Sequence, residues 1–152
     1  MSEGHIDRGF GYWLNIFANL AVVAGIVFLG LELRQNSELM RAQTRNQLAQ
    51  SAIGQIELGM RPDVLAALSA GENRSPEEDA LVGRYVRALL RGVENSFYQY
   101  RMGLYEADEY EGERQTLNRL LDDPVFRDYW NTRRDEFSRE FQAVVDSLIA
   151  TP

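Results

Sequence analysis

The longest apolar run of the chain lies near its amino terminus. Residues 9–31 read GFGYWLNIFANLAVVAGIVFLGL, twenty-three residues without a charge between Arg8 and Glu32. At a rise of about 1.5 Å per residue, such a helix is roughly 35 Å long and exceeds a hydrocarbon thickness of about 30 Å. The run is too long for a signal-peptide core and lacks a small-residue cleavage motif before Glu32. We therefore predict an uncleaved transmembrane helix over 9–33, preceded by a short tail over 1–8.

The helical pattern continues beyond the predicted span without a proline until Pro62, which predicts a helical stalk over 34–60. A thin apolar line follows this stalk at spacings of seven, four, three and four: Ala42, Ala49, Ile53, Ile56 and Met60. One face of the stalk should therefore pack against something. Docking onto the chain's own body is favoured over an intermolecular coiled coil, because the line is too poor in Leu for a strong zipper.

Residues 61–152 predict a small soluble bundle of short helices. Pro62 suits the first position of a helix that Gly71 ends. Ser75 and Glu78 form a capping-box pattern that opens a longer helix, which should end near Met102 and Gly103. Further helices are predicted within 107–121, from Asp123-Pro124, and from Ser138. No stretch alternates with period two, so the predicted fold class is all-α, with a transmembrane helix, a stalk and a helical bundle.

The long helix of the predicted body has two distinct sides. Its core side should carry Val82, Tyr85, Val86, Leu89, Val93, Phe97, Tyr100 and Leu104. Its other side carries Arg84, Arg87, Arg91, Glu94, Tyr98 and Arg101. The arginine line is typical of a solvated face, although anionic lipid could also bind it. Glu94, Tyr98 and Arg101 could line a small polar site, or join Trp130, Arg133 and Arg134 in a salt-bridged network.

Within the predicted span, several residues are candidates for packing or anchoring. Asn15 and Asn19 are four residues apart and share a helix face. An amide surrounded by hydrocarbon is stabilised by a hydrogen bond to a neighbouring helix. Ala21 and Gly25 have the small-xxx-small spacing that allows close backbone approach. Three further residues are predicted interface anchors: Tyr12, Trp13 and Arg34. We expect the span to contact the lipid bilayer and either another membrane protein or a second copy of itself.

Charge bears on orientation and on partners. Arg8 precedes the span, whereas Arg34, Arg41 and Arg45 follow it, which favours a cytoplasmic body. Residues 61–152 carry twelve Arg against eighteen acidic residues. An acidic body is a poor generic ligand for nucleic acid, so no nucleic-acid partner is predicted.

Few residues suit catalysis or metal binding. The chain has no Cys, and its one histidine is His5 in the tail. Catalysis by a nucleophile paired with an imidazole base is therefore disfavoured. A zinc site built from thiolate and imidazole ligands is disfavoured for the same reason. The acidic run Glu106–Glu113 lacks the ligand order of a calcium loop and is typical of a helix start. We predict no cofactor, no metal site and no enzymatic activity.

The chain also resembles a family of small bacterial proteins of unknown function that have one amino-terminal span and a helical body. The resemblance covers nearly the whole chain and is carried by these pieces: GLELRQN at 30–36, Glu94-Asn95, Tyr98-Gln99-Tyr100-Arg101-x-Gly103-Leu104, Leu120-Leu121, Pro124, Tyr129-Trp130, Arg134, Phe137 and Phe141. It implies a bacterial inner-membrane protein but no activity. It also marks positions to test as a polar network or ligand site: Glu94, Tyr98, Gln99, Arg101, Trp130 and Arg134. Tyr110 departs from the family pattern, where Trp is common.

Together these patterns predict a membrane-anchored interaction or accessory subunit. It would bind another membrane protein or self-assemble through the Asn15/Asn19 face and the aromatic surface of its body. The alternative is a ligand-binding or enzymatic helical domain that uses Glu94, Tyr98 and Arg101. The geometry of these three side chains distinguishes the two hypotheses.

Overall fold

The computed structural model of the chain describes residues 6–150, with side chains from Phe10 onward. All regular elements in this range are helical, which confirms the predicted all-α fold. The α-helices are α1 Ile6–Gly59, α2 Pro62–Ser69, α3 Pro76–Arg101, α4 Ala107–Leu121, α5 Pro124–Arg133 and α6 Arg139–Ala150. Single 3₁₀ turns cover Gly71–Asn73 and Arg134–Glu136. The predicted tail over 1–8 lies outside the described residues up to residue 5, and helix α1 has already begun at Ile6.

The chain divides into two compact units at residue 40. In the first unit, the large apolar side chains from Phe10 to Leu33 are all exposed. Helix α1 is the one helix in the described part of the chain that is long and apolar enough to cross a membrane. The long apolar amino-terminal helix predicted from the sequence is therefore present.

The second unit, Arg41–Pro152, has a core built around α3. Helices α2, α4 and α5 pack against α3, and α6 packs against α4. The largest buried side chains include Trp130, Phe141 and Leu90. Phe141 lies within about van der Waals range of three other rings, with centroid separations of 6.0 Å to Phe97, 6.0 Å to Trp130 and 5.9 Å to Phe137.

The predicted core side of α3 is partly wrong. Val82, Val86 and Val93 are buried as expected, but the fourth buried apolar residue is Leu90 rather than its half-buried neighbour Leu89. Tyr100 is exposed and stacks face to face on Tyr110 at 4.6 Å. The buried residues follow one another at steps of four, four and three, so they lie along one helix face. The longer predicted core side shares only part of that face.

Helix caps explain why the predicted boundaries hold. The Ser75 hydroxyl accepts the Glu78 N–H at 3.2 Å, and the Glu78 carboxylate accepts the Ser75 N–H at 2.7 Å, which completes the predicted capping box. Asp123 accepts the Val125 N–H at 2.9 Å at the start of α5. Gly103 follows α3 with a φ of +70°, a conformation that glycine adopts without a steric penalty.

The stalk docks onto the body as predicted, but through a different face. The Gln55 amide donates to the Ala88 carbonyl at 3.4 Å, and Gln55 lies so close to Gly92 that a β-carbon there would overlap its amide. Arg41 pairs with Glu106 at 3.3 Å and Arg45 with Glu109 at 3.0 Å.

The apolar line expected to pack is instead exposed. Ile53 is 56% exposed, Ile56 62% and Met60 69%, and both alanines of the line are also exposed. The side chains facing the body are mixed in polarity, and Thr44 is the buried one, with Leu48 and Leu58 half-buried. The sequence analysis predicted the wrong docking face because it considered only hydrophobic side chains. The face that docks is held by ion pairs, by the Gln55 amide and by the close approach to Gly92.

Candidate functional site

A cleft opens between α3 and the start of α6, and we call it the Tyr98 cleft. Its volume is about 520 Å³. It is lined by Arg91, Glu94, Asn95, Phe97, Tyr98, Arg101, Ser138 and Glu140. The structure thus brings together Glu94, Tyr98 and Arg101, the three residues singled out from the sequence as a candidate polar site.

Glu94 joins α3 to the segment before α6. One carboxylate oxygen accepts the Ser138 N–H at 2.8 Å, and the other accepts Arg91 Nη1 at 2.6 Å. Arg91 also donates to the Glu136 carbonyl at 2.6 Å, and its guanidinium lies 4.7 Å from the centroid of the Phe137 ring. These bonds hold the two walls of the cleft together, so Glu94 is occupied within the protein.

Arg101 makes a second link across the cleft. Its Nη1 lies 3.2 Å from Glu140 Oε1, and its guanidinium lies 5.7 Å from the centroid of Phe97. The Glu140 backbone N–H lowers the pKa of the Glu140 carboxyl, with smaller contributions from the hydrogen bond and charge of Arg101. Both side chains are at least half exposed, so this ion pair contributes little to stability.

Tyr98 is the most accessible ring of the cleft, with 57% of its surface exposed. Asn95 beside it is also exposed. The two glutamates and two arginines of the cleft pair with each other within its walls. The surface that remains accessible to a ligand is therefore chiefly the aromatic ring of Tyr98 and the amide of Asn95. Gln99 does not line the cleft; it is half-buried, and its carbonyl accepts the Leu104 N–H at 3.0 Å at the end of α3.

Trp130 and Arg134 do not belong to this cluster, so the predicted network that joins them to α3 is wrong. Both bond to Asp146 on α6 instead. Trp130 Nε1 donates to Asp146 Oδ1 at 3.0 Å, and Arg134 Nη2 lies 2.6 Å from Asp146 Oδ2. Arg133, the third predicted member, does connect to α3, because it lies 3.9 Å from Glu136, and Glu136 pairs with Arg87 of α3.

The arginine line on α3 is largely engaged within the protein. Arg87 pairs with Glu136 at 3.0 Å, and Glu136 also accepts the Tyr129 hydroxyl at 3.4 Å. Arg91 is held by Glu94, as described above. An arginine whose charge is already paired offers less to an anionic lipid, which favours the interpretation as an ordinary surface.

A smaller cleft of about 210 Å³ lies beside Arg74. Arg74 Nε donates to Asp79 at 2.7 Å, while its Nη1 atom is buried without a hydrogen-bond partner among the described residues. Asp128 also lines this cleft. The two carboxylates make the cleft unsuited to an anion, so we assign it no ligand.

The membrane-packing candidates lie on the exposed surface of α1. Asn15, Asn19, Ala21 and Gly25 are all exposed, and a β-carbon at Gly25 would meet nothing within 4 Å. Tyr12 and Trp13 contact each other edge to face, with 6.0 Å between ring centroids. Arg34 forms an exposed ion pair with Glu38 at 3.2 Å.

Sequence reasoning missed the acidic partners of the body: Glu136, Glu140 and Asp146. Each accepts a bond from a residue on another element, and nothing in the local pattern distinguishes it from other surface acids. Only the packed arrangement of the helices identifies them.

Comparisons with known proteins add no identity. No family model, curated protein or solved structure matches the chain. Among the residues that the structure describes, no group of three or more His, Cys, Asp or Glu side chains could hold a metal ion. The resemblance to small bacterial membrane proteins remains a prediction.

Proposed function

We propose that the protein is a single-pass membrane protein whose helical body is an interaction module. It acts as an accessory subunit for another membrane protein, or assembles with further copies of itself, and carries out no catalysis of its own. The observation that carries this proposal is the apolar surface of α1 between Phe10 and Leu33, whose large side chains are all exposed.

Such a surface is costly in water. Each Å² of exposed apolar area costs about 25 cal/mol, and soluble monomers rarely expose contiguous apolar patches above a few hundred Å². A bilayer removes this cost, and the helix satisfies its own backbone groups there. The resemblance to small bacterial proteins supports the inner membrane as the location, and the excess of Arg after the span supports a cytoplasmic body.

The Asn15/Asn19 face supports interaction within the membrane. These two amides lie on one side of an apolar helix, and a hydrogen bond between spans contributes about 0.6 to 2 kcal/mol. The exposed Ala21 and Gly25 leave room for a neighbouring helix to approach closely. At about 100° per residue, this small-residue pair lies roughly 120° around the helix from the two amides, so the span offers two packing surfaces for a partner span or for a second copy.

Insertion is tested by carbonate extraction of membranes that contain the full-length protein. We expect the protein to stay in the membrane pellet and to require detergent for release. A protein that alkaline carbonate releases would contradict the proposal. A fluorescent reporter that folds only in the cytoplasm, fused after Pro152, should fluoresce if the orientation is as proposed.

Association is tested by native mass spectrometry from mild detergent. Replacing both Asn15 and Asn19 with Leu should reduce any complex, because the interhelical amide bonds are lost. The matched control is Leu20→Ile, which changes an exposed residue away from both the Asn15/Asn19 side and the Ala21/Gly25 side of the same helix. A solitary 17.4 kDa species in every mild detergent would argue against both forms of association.

A second candidate function is ligand binding in the Tyr98 cleft, favoured by its volume of about 520 Å³. Small-molecule pockets typically measure about 300–1,000 Å³ and are lined by aromatic residues with a few polar groups. Fragment screening by ligand-observed NMR tests this on the detergent-solubilised protein. Binding that Tyr98→Ala abolishes and Tyr98→Phe retains would support it, whereas fragments that bind both variants equally would exclude this cleft.

A further inference from the structure

The exposed side of the stalk carries a regular pattern that its docking onto the body does not use. We call this pattern the stalk seam, and it consists of Ala42, Asn46, Ala49, Ile53, Ile56 and Met60. The spacings alternate strictly as four, three, four, three and four. All six residues are exposed. Alternation of three and four is the a/d repeat of a coiled coil.

The stalk therefore has two separate faces. Thr44, Leu48, Gln55 and Leu58 occupy the c and f positions of the same repeat and face the body. The a and d positions lie on the other side of the helix, so docking leaves the seam uncovered. No charged residue interrupts the seam between Ala42 and Met60, whereas both sides of it carry polar residues.

We infer that the stalk seam pairs with the stalk seam of a second copy of this chain, in a parallel and in-register coiled coil. The inference rests on the proposed membrane insertion, because two copies inserted in the same direction have their seams at the same chain distance from the span. Parallel, in-register pairing then requires no further alignment. It also specifies the self-assembly that the proposed function leaves open.

Asn46 supports a second copy as the occupant. Asn46 occupies an a position of the repeat, where its polar amide interrupts an otherwise apolar line. In a parallel, in-register pair it meets the same residue of the other chain, and two amides can donate and accept to each other. A single Asn at an a position fixes register and favours two strands.

The residues that flank the seam also permit self-pairing. In a parallel pair, each g position faces the next e position of the other chain. Arg45, which pairs with Glu109 of its own chain, then lies opposite Gln50, and Ala52 lies opposite Glu57, so no like charges are opposed.

The seam is short, which sets the conditions for pairing. Fewer than three heptads of Ile, Ala and Met form a weak coiled coil in dilute solution, and helices of this length need additional contacts. Confinement of both spans to one membrane raises their effective concentration and converts weak contacts into stable association. We therefore expect pairing in membranes at protein levels where a soluble stalk peptide would remain monomeric.

Single-cysteine cross-linking tests the inference, and the absence of native Cys makes each introduced thiol unique. In membranes containing the full-length protein, Ala49→Cys, Ile53→Cys and Ile56→Cys should form disulfide-linked dimers on mild oxidation. Gln47→Cys and Gly54→Cys are the controls, since both residues are exposed at b positions of the same helix, off the seam and away from the docked face. Seam thiols should oxidise at least about fivefold faster, because disulfides need α-carbons within about 7 Å. Equal rates at all five positions, or none at the seam, would overturn the inference.

A charge in the seam provides the second test. Ile53→Asp should abolish the cross-linking of Ala49→Cys, because it places two carboxylates opposite each other. Gln47→Asp adds the same charge off the seam and should leave cross-linking unchanged. Near-ultraviolet circular dichroism should show an intact body in both variants, since both residues are exposed. Cross-linking that persists in Ile53→Asp would contradict self-pairing.

Two readouts separate this inference from the proposed function. Coexpression of two differently tagged copies identifies the product: at equal levels about half of the dimers should carry both tags, because pairing is random. Cross-linked species of a different mass, with no mixed-tag dimer among them, mean that another protein covers the seam and overturn self-pairing. Carbonate extraction is performed on the same membranes. Release by carbonate overturns the proposed membrane insertion and, with it, the confinement that the coiled coil depends on. Retention in the membrane without seam cross-links overturns only the coiled coil.

Discussion

At the scale of single residues, Asp146 on α6 binds Trp130 and Arg134, which the sequence analysis had assigned to a polar network with α3. Trp130 is 1% exposed, so its indole N–H has no access to water and depends on Asp146 as its acceptor. Arg134 binds the other oxygen of the same carboxylate at 2.6 Å. Asp146 thus links Trp130 of α5 and Arg134 of the following 3₁₀ turn to α6.

The substitution Asp146→Ala should lower the free energy of unfolding by about 1–3 kcal/mol, since a buried donor is left without a partner. Asp146→Asn should cost less, because the amide oxygen can still accept from the indole. Urea unfolding in detergent, followed by near-ultraviolet circular dichroism, measures both. Equal losses for the two variants would mean that the Arg134 ion pair, rather than the indole bond, carries the effect.

Glu113 on α4 illustrates the opposite situation, a carboxyl whose charge is disfavoured. Burial raises the pKa of this side chain above its ordinary range. The folded state therefore binds this proton more tightly than the unfolded state, and stability from Glu113 falls as pH rises through the window between the ordinary pKa and the raised one. At neutral pH the ionised form is a net cost.

We expect Glu113→Gln to stabilise the body by about 0.5 kcal/mol at pH 7. The gain should vanish below about pH 4, where the wild-type carboxyl is protonated in both states. Unfolding curves across this pH range measure the difference. Glu111→Gln is the matched control of opposite sign: its hydrogen bond with Arg114 lowers the pKa of the Glu111 carboxyl, so this variant should lose stability at neutral pH. A pH-independent gain from Glu113→Gln would refute the assignment.

At the scale of elements, two helical glycines separate helix propensity from docking. A β-carbon at Gly112 on α4 would meet nothing within 4 Å, whereas one at Gly92 on α3 would overlap the amide of Gln55. Both substitutions by alanine relieve the same backbone cost of glycine in a helix. They differ in whether the stalk must move.

Gly112→Ala should therefore stabilise the body by about 0.5–1 kcal/mol. Gly92→Ala should gain less or become destabilising, because the Gln55 side chain is displaced from its bond to Ala88. Thermal unfolding of both variants measures this difference. Adding Gln55→Ala to Gly92→Ala should restore the gain; if the double variant shows no recovery, the Gln55 contact is not what limits the substitution.

The elements also show what sequence patterns can and cannot specify. Helix starts were predictable because caps such as Ser75 with Glu78 are satisfied within four residues. The faces of the helices were less predictable. The stalk docks through Gln55 because α3 offers the open space at Gly92 and the Ala88 carbonyl, which can accept a second hydrogen bond, and both features belong to a different helix. The candidate site followed the same rule: Glu94 and Arg101 share a cleft, but their partners are Ser138, just before α6, and Glu140 in α6.

At the scale of the whole molecule, the two units differ in what stabilises them. The second unit, Arg41–Pro152, depends on a packed core whose largest members include Trp130 and Phe141. In the first unit, the residues that the structure describes belong to α1 alone, and the large apolar side chains from Phe10 to Leu33 are exposed rather than packed in a core. In a micelle or bilayer that helix keeps its backbone hydrogen bonds, because no water competes for them. Urea should therefore unfold the two units separately.

We expect urea unfolding in mild detergent to abolish the buried environment of Trp130 while roughly a quarter of the helical signal persists, contributed by the part of α1 up to Met40. Trp13→Phe makes the fluorescence specific to Trp130, and far-ultraviolet circular dichroism follows total helix. Raising the urea concentration further should leave the residual helix unchanged until the detergent itself is diluted below micelle formation. A single transition in which fluorescence and all helical signal disappear together would mean that the amino-terminal helix depends on the body, and would contradict its independent insertion in lipid.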